Sequence, residues 1–123
     1  GRKLATIGWS FGGTQALQAS LAAPESVTAT VMFYPFGGLS QSRERLASLN
    51  GAMLVIRAKQ ESPAVVEDTD QFIVAAKKAG KSIQEHTYDA KHGFMNPSAK
   101  HHDAQATEDA SNLTMEFLEE QLR

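Results

Sequence analysis

The chain contains no cysteine, and none of its apolar runs is long. The lack of cysteine excludes disulfide bonds and thiolate metal sites, although it does not identify a cellular compartment. No apolar run approaches the roughly 18 residues that are needed to cross a bilayer. No segment resembles a secretory signal peptide either. We therefore expect a cytoplasmic protein that does not insert into a membrane.

Charge of neither sign predominates. The 12 Lys and Arg residues nearly balance the 14 Asp and Glu residues, so the net charge is -2. This balance gives no electrostatic reason to expect binding to nucleic acid or to an anionic membrane. The hydrophobic content of 41% is ordinary for a globular protein, and 123 residues are enough for one small domain, residues 1–123. Neither nucleic acid nor a membrane is therefore an expected partner.

Short apolar runs alternate with segments of helical periodicity, without internal repeats. The apolar, β-branched and aromatic runs predict strands at 3–7, 27–34, 52–57 and 83–88, of which the last is more polar and nearer an edge. Apolar residues at helical spacing predict helices at 14–22, 63–80 and 103–122. The polar segment 39–50 is predicted to be irregular, with one helical turn at 43–46. Strands separated by helices pair in parallel through right-handed crossovers, so the predicted fold is a three-layer α/β sandwich.

The segment G-W-S-F-G at 8–12 has the form G-x-S-x-G. This pattern is typical of a nucleophile elbow, in which a serine occupies a sharp turn between a strand and a helix. The serine backbone is strained there, and side chains at the flanking glycine positions are expected to collide with the chain. The predicted strand before Ser10 and helix after it fit this context. The alternative is a glycine-rich turn without chemistry.

Two other polar residues follow predicted strands. Glu61 lies four residues beyond the third strand, and His92 follows the fourth. In an open parallel sheet the chemistry collects at the carboxyl ends of the strands, and the order Ser, acid, His is that of the α/β-hydrolase fold. An imidazole can take the serine proton while a carboxylate fixes its tautomer. Asp68 and Asp70 are alternative acids, but a solvated face of the predicted helix explains them better.

The remaining histidines and glycines do not form a recognisable cofactor or metal site. His86 falls within a strand, and His101 and His102 are adjacent without a third ligand at a recognisable spacing. We therefore expect neither a metal nor a cofactor. Among the aromatic residues, we expect Trp9, Phe36 and Phe94 to line the substrate pocket.

Three motifs together resemble the C-terminal half of a dienelactone hydrolase family protein, a branch of the α/β hydrolases. They are I-G-W-S-F-G-G at 7–13, M-L-V-I at 53–56 with its following acid, and H-G-F-M-N-P at 92–97. The resemblance covers essentially the whole chain. It implies a partial α/β-hydrolase fold with about four parallel strands, without the N-terminal half of the family.

The same resemblance implies an activity and its site residues. The reaction would be hydrolysis of a carboxylic ester or lactone through an acyl-enzyme. Ser10 would be the nucleophile, His92 the base and Glu61 the acid, and the backbone N–H of Phe11 would form half of the oxyanion hole.

The chain departs from the family pattern in four ways. Many members have a cysteine nucleophile, and the acid is usually an aspartate after a glycine, where this chain has Glu61 after Ala58. Members that bind an anionic lactone use an arginine a few residues past the base, which M-N-P at 95–97 lacks. The absent half would supply the second oxyanion donor, and loss of one donor typically lowers the rate about 10²–10³-fold.

These departures leave two other interpretations open. In the first, the chain is a catalytically silent half-hydrolase that acts as a dimerising or binding module. In the second, it is part of a longer protein. In the first case the edge of the strand at 3–7 is unpaired, and an apolar strand edge is expected to find a partner. A homodimer across a two-fold axis or a separate partner chain would cover it.

Overall fold

A computed structural model describes residues 2–123 as one four-stranded sheet with helices on both faces. The element order is β1 (Leu4–Trp9), α1 (Phe11–Ala22), β2 (Val27–Phe33), a 3₁₀ segment (Leu39–Ser48), β3 (Ala52–Gln60), α2 (Pro63–Lys78), β4 (Ile83–Lys91) and α3 (Ala104–Gln121). The strands lie in the order β1-β2-β3-β4 and all three pairings are parallel. The predicted α/β class and four parallel strands are therefore confirmed, with β4 at an edge as expected.

The central strands bury both of their faces, so successive side chains enter two different cores. Residues at alternate positions of β2 and β3 pack with α3 in one cluster, which includes Val31, Phe33, Leu54, Ile56 and Phe117. The intervening residues pack with α1, α2 and the 3₁₀ segment in the other, which includes Leu17, Met32, Leu39, Val55 and Phe72. The result is a three-layer molecule. Because its strands are parallel, their carboxyl ends lie along the same edge of the sheet.

Several element boundaries differ from the prediction. Helix α1 begins at Phe11 rather than at residue 14, because the sharp turn at Ser10 leads directly into the helix. Strands β3 and β4 each extend three residues further, to Gln60 and Lys91, since these two residues are still paired in the ladder. These extensions place Glu61 and His92 immediately after their strands.

The segment 39–50 is also more ordered than predicted. Its residues Leu39–Ser48 form a 3₁₀ helix that packs Leu39 and Leu46 into the core. None of the helices within residues 2–123 is long and apolar enough to cross a membrane.

Candidate active site

Ser10 is held in a strained turn between β1 and α1. Its φ of 59° lies in the left-handed region, which residues other than glycine rarely adopt. The N–H of Ser10 donates to the carbonyl of Phe33 at 2.9 Å, and the Ser10 carbonyl accepts from the N–H of Gly13 at 2.9 Å. The turn is therefore attached both to the neighbouring strand and to the first turn of the helix.

The glycines of the motif are not equivalent. A Cβ atom at Gly8 would lie 1.9 Å from the carbonyl oxygen of Gly12, so only glycine fits at that position. A Cβ atom at Gly12 would meet nothing within 4 Å. The expectation of a collision at both flanking glycines is thus correct for Gly8 and wrong for Gly12, because the side-chain direction at Gly12 points away from the chain.

Ser10, His92 and Glu61 meet at the carboxyl edge of the sheet. The Ser10 Oγ atom lies 2.8 Å from Nε2 of His92, and Nδ1 of His92 lies 2.7 Å from Oε2 of Glu61. Each residue directly follows a strand, β1, β4 and β3 respectively, so parallel pairing brings together residues that are far apart in sequence. The Glu61 side chain is 10% exposed and the His92 side chain 37%.

The two contacts of the imidazole imply one tautomer. A carboxylate only accepts hydrogen bonds, so Nδ1 of His92 donates to Glu61. In the neutral imidazole the Nε2 atom then has a free lone pair and accepts from the Ser10 hydroxyl. This is the arrangement in which a histidine can take the proton from a serine.

Phe11 is the first residue of α1. A backbone N–H at this position has no acceptor within its own helix, and the helix N-terminus carries a partial positive charge. This N–H directly follows Ser10 in the chain. The Phe11 side chain is about half exposed, and its ring lies 6.3 Å from that of Phe36.

A cleft of about 580 Å³ opens beside the Ser10 hydroxyl. Apart from the His92 imidazole its wall contains no ionisable group other than a tyrosine, and it is formed by Trp9, Ser10, Tyr34, His92, Gly93, Met95, Asn96, Thr107 and Ser111. Trp9 is stacked on Phe33 with a centroid distance of 4.8 Å. The wall therefore combines aromatic and aliphatic surface with a few uncharged polar groups.

Two of the three aromatic residues expected in the pocket lie elsewhere. Phe36 is not part of the cleft wall, but it is 42% exposed and its ring centroid lies 5.8 Å from that of His92. Phe94 is fully buried, because the turn at Gly93 directs its ring into the core beneath α3, against Tyr34 and Tyr88. Placing Phe94 in the pocket wall was therefore wrong.

Among the residues of the cleft wall that the sequence did not identify are Met95, Asn96, Thr107 and Ser111. Met95 and Asn96 closely follow His92. The expectation that functional residues collect at the carboxyl ends of the strands therefore already points to them. Thr107 and Ser111 are one helical turn apart on α3 and interrupt its otherwise apolar face. That spacing would have indicated a polar patch facing the strand ends.

Tyr34 directly follows β2 and also adopts a positive φ, of 35°. Its side chain is 4% exposed. Burial raises the pKa of the Tyr34 hydroxyl, a hydrogen bond from the Met95 backbone opposes this, and repulsion by the Glu61 carboxylate adds to it. The hydroxyl is therefore protonated at neutral pH.

Asp68 and Asp70 do not reach His92. Asp68 is not on a solvated helix face, because it accepts hydrogen bonds from the backbone N–H groups of Leu39 and Ser40 at 2.8 and 3.2 Å. Asp70 pairs with Arg57 at 2.7 Å. Among residues 2–123, no group of three or more His, Asp or Glu side chains is arranged to hold a metal ion.

Comparisons with known proteins agree with this architecture. Residues 1–122 match the profile of the dienelactone hydrolase family. No curated protein matches the chain significantly in sequence. A dienelactone hydrolase-like promiscuous phosphotriesterase from metagenomic libraries superposes with a TM-score of 0.84 at 22% identity, covering 97% of this chain and 52% of that one.

Other solved structures resemble the chain in the same way. The dienelactone hydrolase from Anabaena variabilis has a TM-score of 0.75 at 22% identity, with 97% of this chain and 50% of that chain covered. The acylaminoacyl peptidase of Pyrococcus horikoshii has a TM-score of 0.76 at 14% identity, with 96% and 24% covered. The chain thus spans about half the length of the dienelactone hydrolase-like structures that it matches.

Proposed function

Since this chain belongs to the dienelactone hydrolase family, we propose that it carries the catalytic triad of a serine hydrolase acting on carboxylic esters or lactones. The observation that supports this most strongly is the continuous hydrogen-bonded series from Ser10 through His92 to Glu61, with distances of 2.8 and 2.7 Å. Within this series each group has the orientation that a nucleophile, a base and a tautomer-fixing acid require.

In the proposed reaction the Ser10 oxygen attacks the ester carbonyl carbon while Nε2 of His92 takes the hydroxyl proton. The tetrahedral intermediate collapses when the C–O bond to the alcohol breaks, and the imidazolium returns the proton to the leaving alkoxide. Water then adds to the acyl-enzyme, with His92 again accepting a proton. Release of the carboxylic acid regenerates the Ser10 hydroxyl, and Glu61 stabilises the imidazolium in both halves of the reaction.

The Phe11 N–H is the proposed donor to the developing oxyanion. Ser10 and the first turn of α1 hold this group beside the reacting carbon, so it needs no rearrangement during the reaction. One donor does not complete an oxyanion hole, and removing one of two typically lowers kcat about 10²–10³-fold. Full activity in this proposal therefore requires a second donor in addition to Phe11.

The proposed substrate is an uncharged ester or lactone of modest size. Trp9, Tyr34 and Met95 offer apolar surface next to Ser10, and no arginine or lysine lines the cleft. An anionic substrate would lose its hydration there without gaining a charged partner. A neutral acyl group avoids this penalty.

A fluorophosphonate probe tests the nucleophile directly. We expect the native protein to form a covalent adduct at Ser10 and Ser10→Ala to form none. Ser26→Ala is the matched control, because Ser26 is exposed in the turn before β2 at the opposite edge of the sheet. A p-nitrophenyl butyrate assay on the same three proteins should follow the labelling. Equal labelling of the native protein and Ser10→Ala would contradict the proposal.

A second candidate function is a catalytically silent module that binds another chain. Strand β1 pairs only with β2 within residues 2–123, and its Leu4, Ile7 and Trp9 side chains are 50%, 42% and 48% exposed. Under this alternative two copies pair their β1 edges across a two-fold axis, or a separate chain pairs with β1.

Size-exclusion chromatography with light scattering tests the alternative. We expect a dimeric species that Ile7→Lys converts to monomer, because a charge at the paired edge opposes association. Val74→Lys is the control, since Val74 is a β-branched residue that is 53% exposed on α2, away from β1. A native protein that is monomeric and copurifies with no other chain would contradict the binding role.

A further inference from the structure

Tyr34 lies between the cleft beside Ser10 and a small cavity beside Glu61. Its ring forms part of the cleft wall beside Ser10, and on the other side it borders a small cavity that Glu61 also lines. It is the first residue after β2, in the gap between the strand of the nucleophile and the strand of the acid. A side chain there can act on the catalytic groups without reacting itself.

The Tyr34 side chain contacts the segment that carries the base through two aromatic pairs. Its ring centroid lies 4.9 Å from that of His92 at an interplanar angle of 64°, and 5.3 Å from that of Phe94 at 60°. Met95 packs against the core cluster that contains Tyr34, and both residues line the cleft.

The His92 imidazole requires this kind of support. Its hydrogen bonds to Glu61 and Ser10 hold the two nitrogen atoms, but small rotations about χ1 and χ2 can still tilt the ring plane and lengthen these bonds. The side chain is 37% exposed and follows the edge strand β4. Contacts with the ring itself limit this tilt, and Tyr34 and Phe36 supply them in an edge-to-face geometry.

The strained backbone of Tyr34 is a separate observation that points to a functional role for this residue. Its φ of 35° would suit a glycine without strain, yet the position holds a large aromatic residue. The N–H of Tyr34 donates to the carbonyl of Ile56 at 2.6 Å, which keeps the strained residue in place. Strained residues of this kind cluster at functional sites, where surrounding contacts maintain them.

We propose that Tyr34 is a positioning residue which, assisted by Phe36, holds the His92 imidazole in the orientation that activates Ser10. The inference rests on the proposed hydrolase function, because its kinetic consequence appears only if Ser10 is a nucleophile. Its structural consequence, a fixed His92 ring, can be measured without catalysis.

The kinetic test uses variants of the native polypeptide. Tyr34→Leu removes the ring and should lower kcat about 10–100-fold, because small misplacements of a catalytic group have effects of this size. KM should change less than about 3-fold, since positioning acts mainly in the transition state. Tyr34→Phe retains the ring and should restore kcat to within about 5-fold of the native value.

Two further variants separate positioning from stability. Phe72→Leu removes a similar volume from the core on the opposite face of the sheet and should leave kcat per folded molecule within about 2-fold of native. Phe36→Leu changes a partly exposed ring, so it folds even if Tyr34→Leu does not, and it should lower kcat by about 3–10-fold. Equal losses of kcat in Tyr34→Leu and Phe72→Leu, or an unchanged kcat in Phe36→Leu, would overturn the proposal.

NMR of the His92 ring provides the readout that does not depend on activity. In the native protein and Tyr34→Phe we expect one sharp set of imidazole signals with the proton on Nδ1. Exchange-broadened signals are expected in Tyr34→Leu and Phe36→Leu, and sharp ones in Phe72→Leu. Native-like signals in all variants would overturn the positioning role. An ordered His92 whose Ser10 neighbour reacts with no fluorophosphonate would contradict the hydrolase function alone.

Discussion

Around Ser10, individual positions differ in how strictly the geometry constrains them. A Cβ atom at Gly8 would lie too close to the carbonyl oxygen of Gly12 for any side chain to fit, whereas a Cβ atom at Gly12 would point into open space. Both glycines belong to the same pentapeptide, so the motif does not distinguish them. The difference comes from the path of the chain through the elbow, which only the three-dimensional structure shows.

Alanine substitutions at the two glycines should therefore have opposite effects on stability. Gly8→Ala forces the elbow backbone apart and should lower the free energy of unfolding by about 1–3 kcal/mol or more. Gly12→Ala lies in the first turn of α1, where alanine should raise that free energy by about 0.5–1 kcal/mol. Urea unfolding followed by circular dichroism measures both, and a similar loss of stability in the two variants would contradict the steric argument.

The charge of Glu61 is expected to matter more than its bulk. Glu61→Gln keeps the size of the side chain but offers an amide to Nδ1 of His92, which permits the wrong tautomer. We expect kcat to fall about 10³–10⁴-fold, as when the acid of a serine protease triad becomes an amide. Asp70→Asn is the control, since Asp70 pairs with Arg57 away from the cleft. A kcat for Glu61→Gln within tenfold of native would remove Glu61 from the triad.

At the level of elements, the 3₁₀ segment depends on a distant carboxylate. Asp68 on α2 accepts from the Leu39 and Ser40 N–H groups and from the Ser40 hydroxyl, at 2.8, 3.2 and 2.5 Å. These bonds satisfy the first backbone donors of the segment and attach it to α2. Asp68 therefore has the role that an N-cap side chain has in an ordinary helix, although it comes from another element.

Asp68→Ala should leave those donors without a partner and lower the free energy of unfolding by about 1–3 kcal/mol. Asp70→Ala removes only an ion pair in which Asp70 is 57% exposed, and it should change stability by about 0–1 kcal/mol. Hydrogen exchange at the Leu39 and Ser40 amides provides the local measurement. Unchanged protection of these amides in Asp68→Ala would show that the contact does not hold the segment.

The sequence predicted the elements whose information is local. The sequences of β2 and β3 are rich in β-branched and apolar residues, which predicts their strands directly, and Ser62 and Pro63 mark the start of α2, where the Ser62 side chain accepts from the Val65 N–H. The prediction contains only one helical turn of the 3₁₀ segment, at 43–46, because the order of the whole segment depends on Asp68, 29 residues from Leu39. The arrangement of Ser10, Glu61 and His92 followed from strand order, whereas the contacts of Tyr34 depend on packing between elements.

At the scale of the molecule, the two faces of the sheet are covered unequally. The face opposite α3 carries α1, α2 and the 3₁₀ segment, while α3 is the only helix on its own face within residues 2–123. This single helix also carries Thr107 and Ser111 in the cleft wall. Attachment of α3 therefore determines both the stability of one core and the shape of the site.

A pair of substitutions on α3 tests this dependence. Phe117 is 4% exposed and packs in the core, so Phe117→Ala should lower the free energy of unfolding by about 3–5 kcal/mol. Met115 is 64% exposed, and Met115→Ala should change it by less than about 0.5 kcal/mol. Thermal unfolding compares the two. A small effect of Phe117→Ala would mean that the sheet does not depend on α3.

The position of His92 after the edge strand has a consequence for inactivation by heat. Within residues 2–123 β1 and β4 each pair with a single strand, but the elbow at Ser10 is also tied by hydrogen bonds to the end of β2 and to α1. Fraying of the last ladder pairs, which end at Gln60 and Lys91, would carry His92, the proposed base, away from Ser10. Catalytic turnover should then disappear at a lower temperature than the bulk fold, and it should return on cooling because no core has been lost.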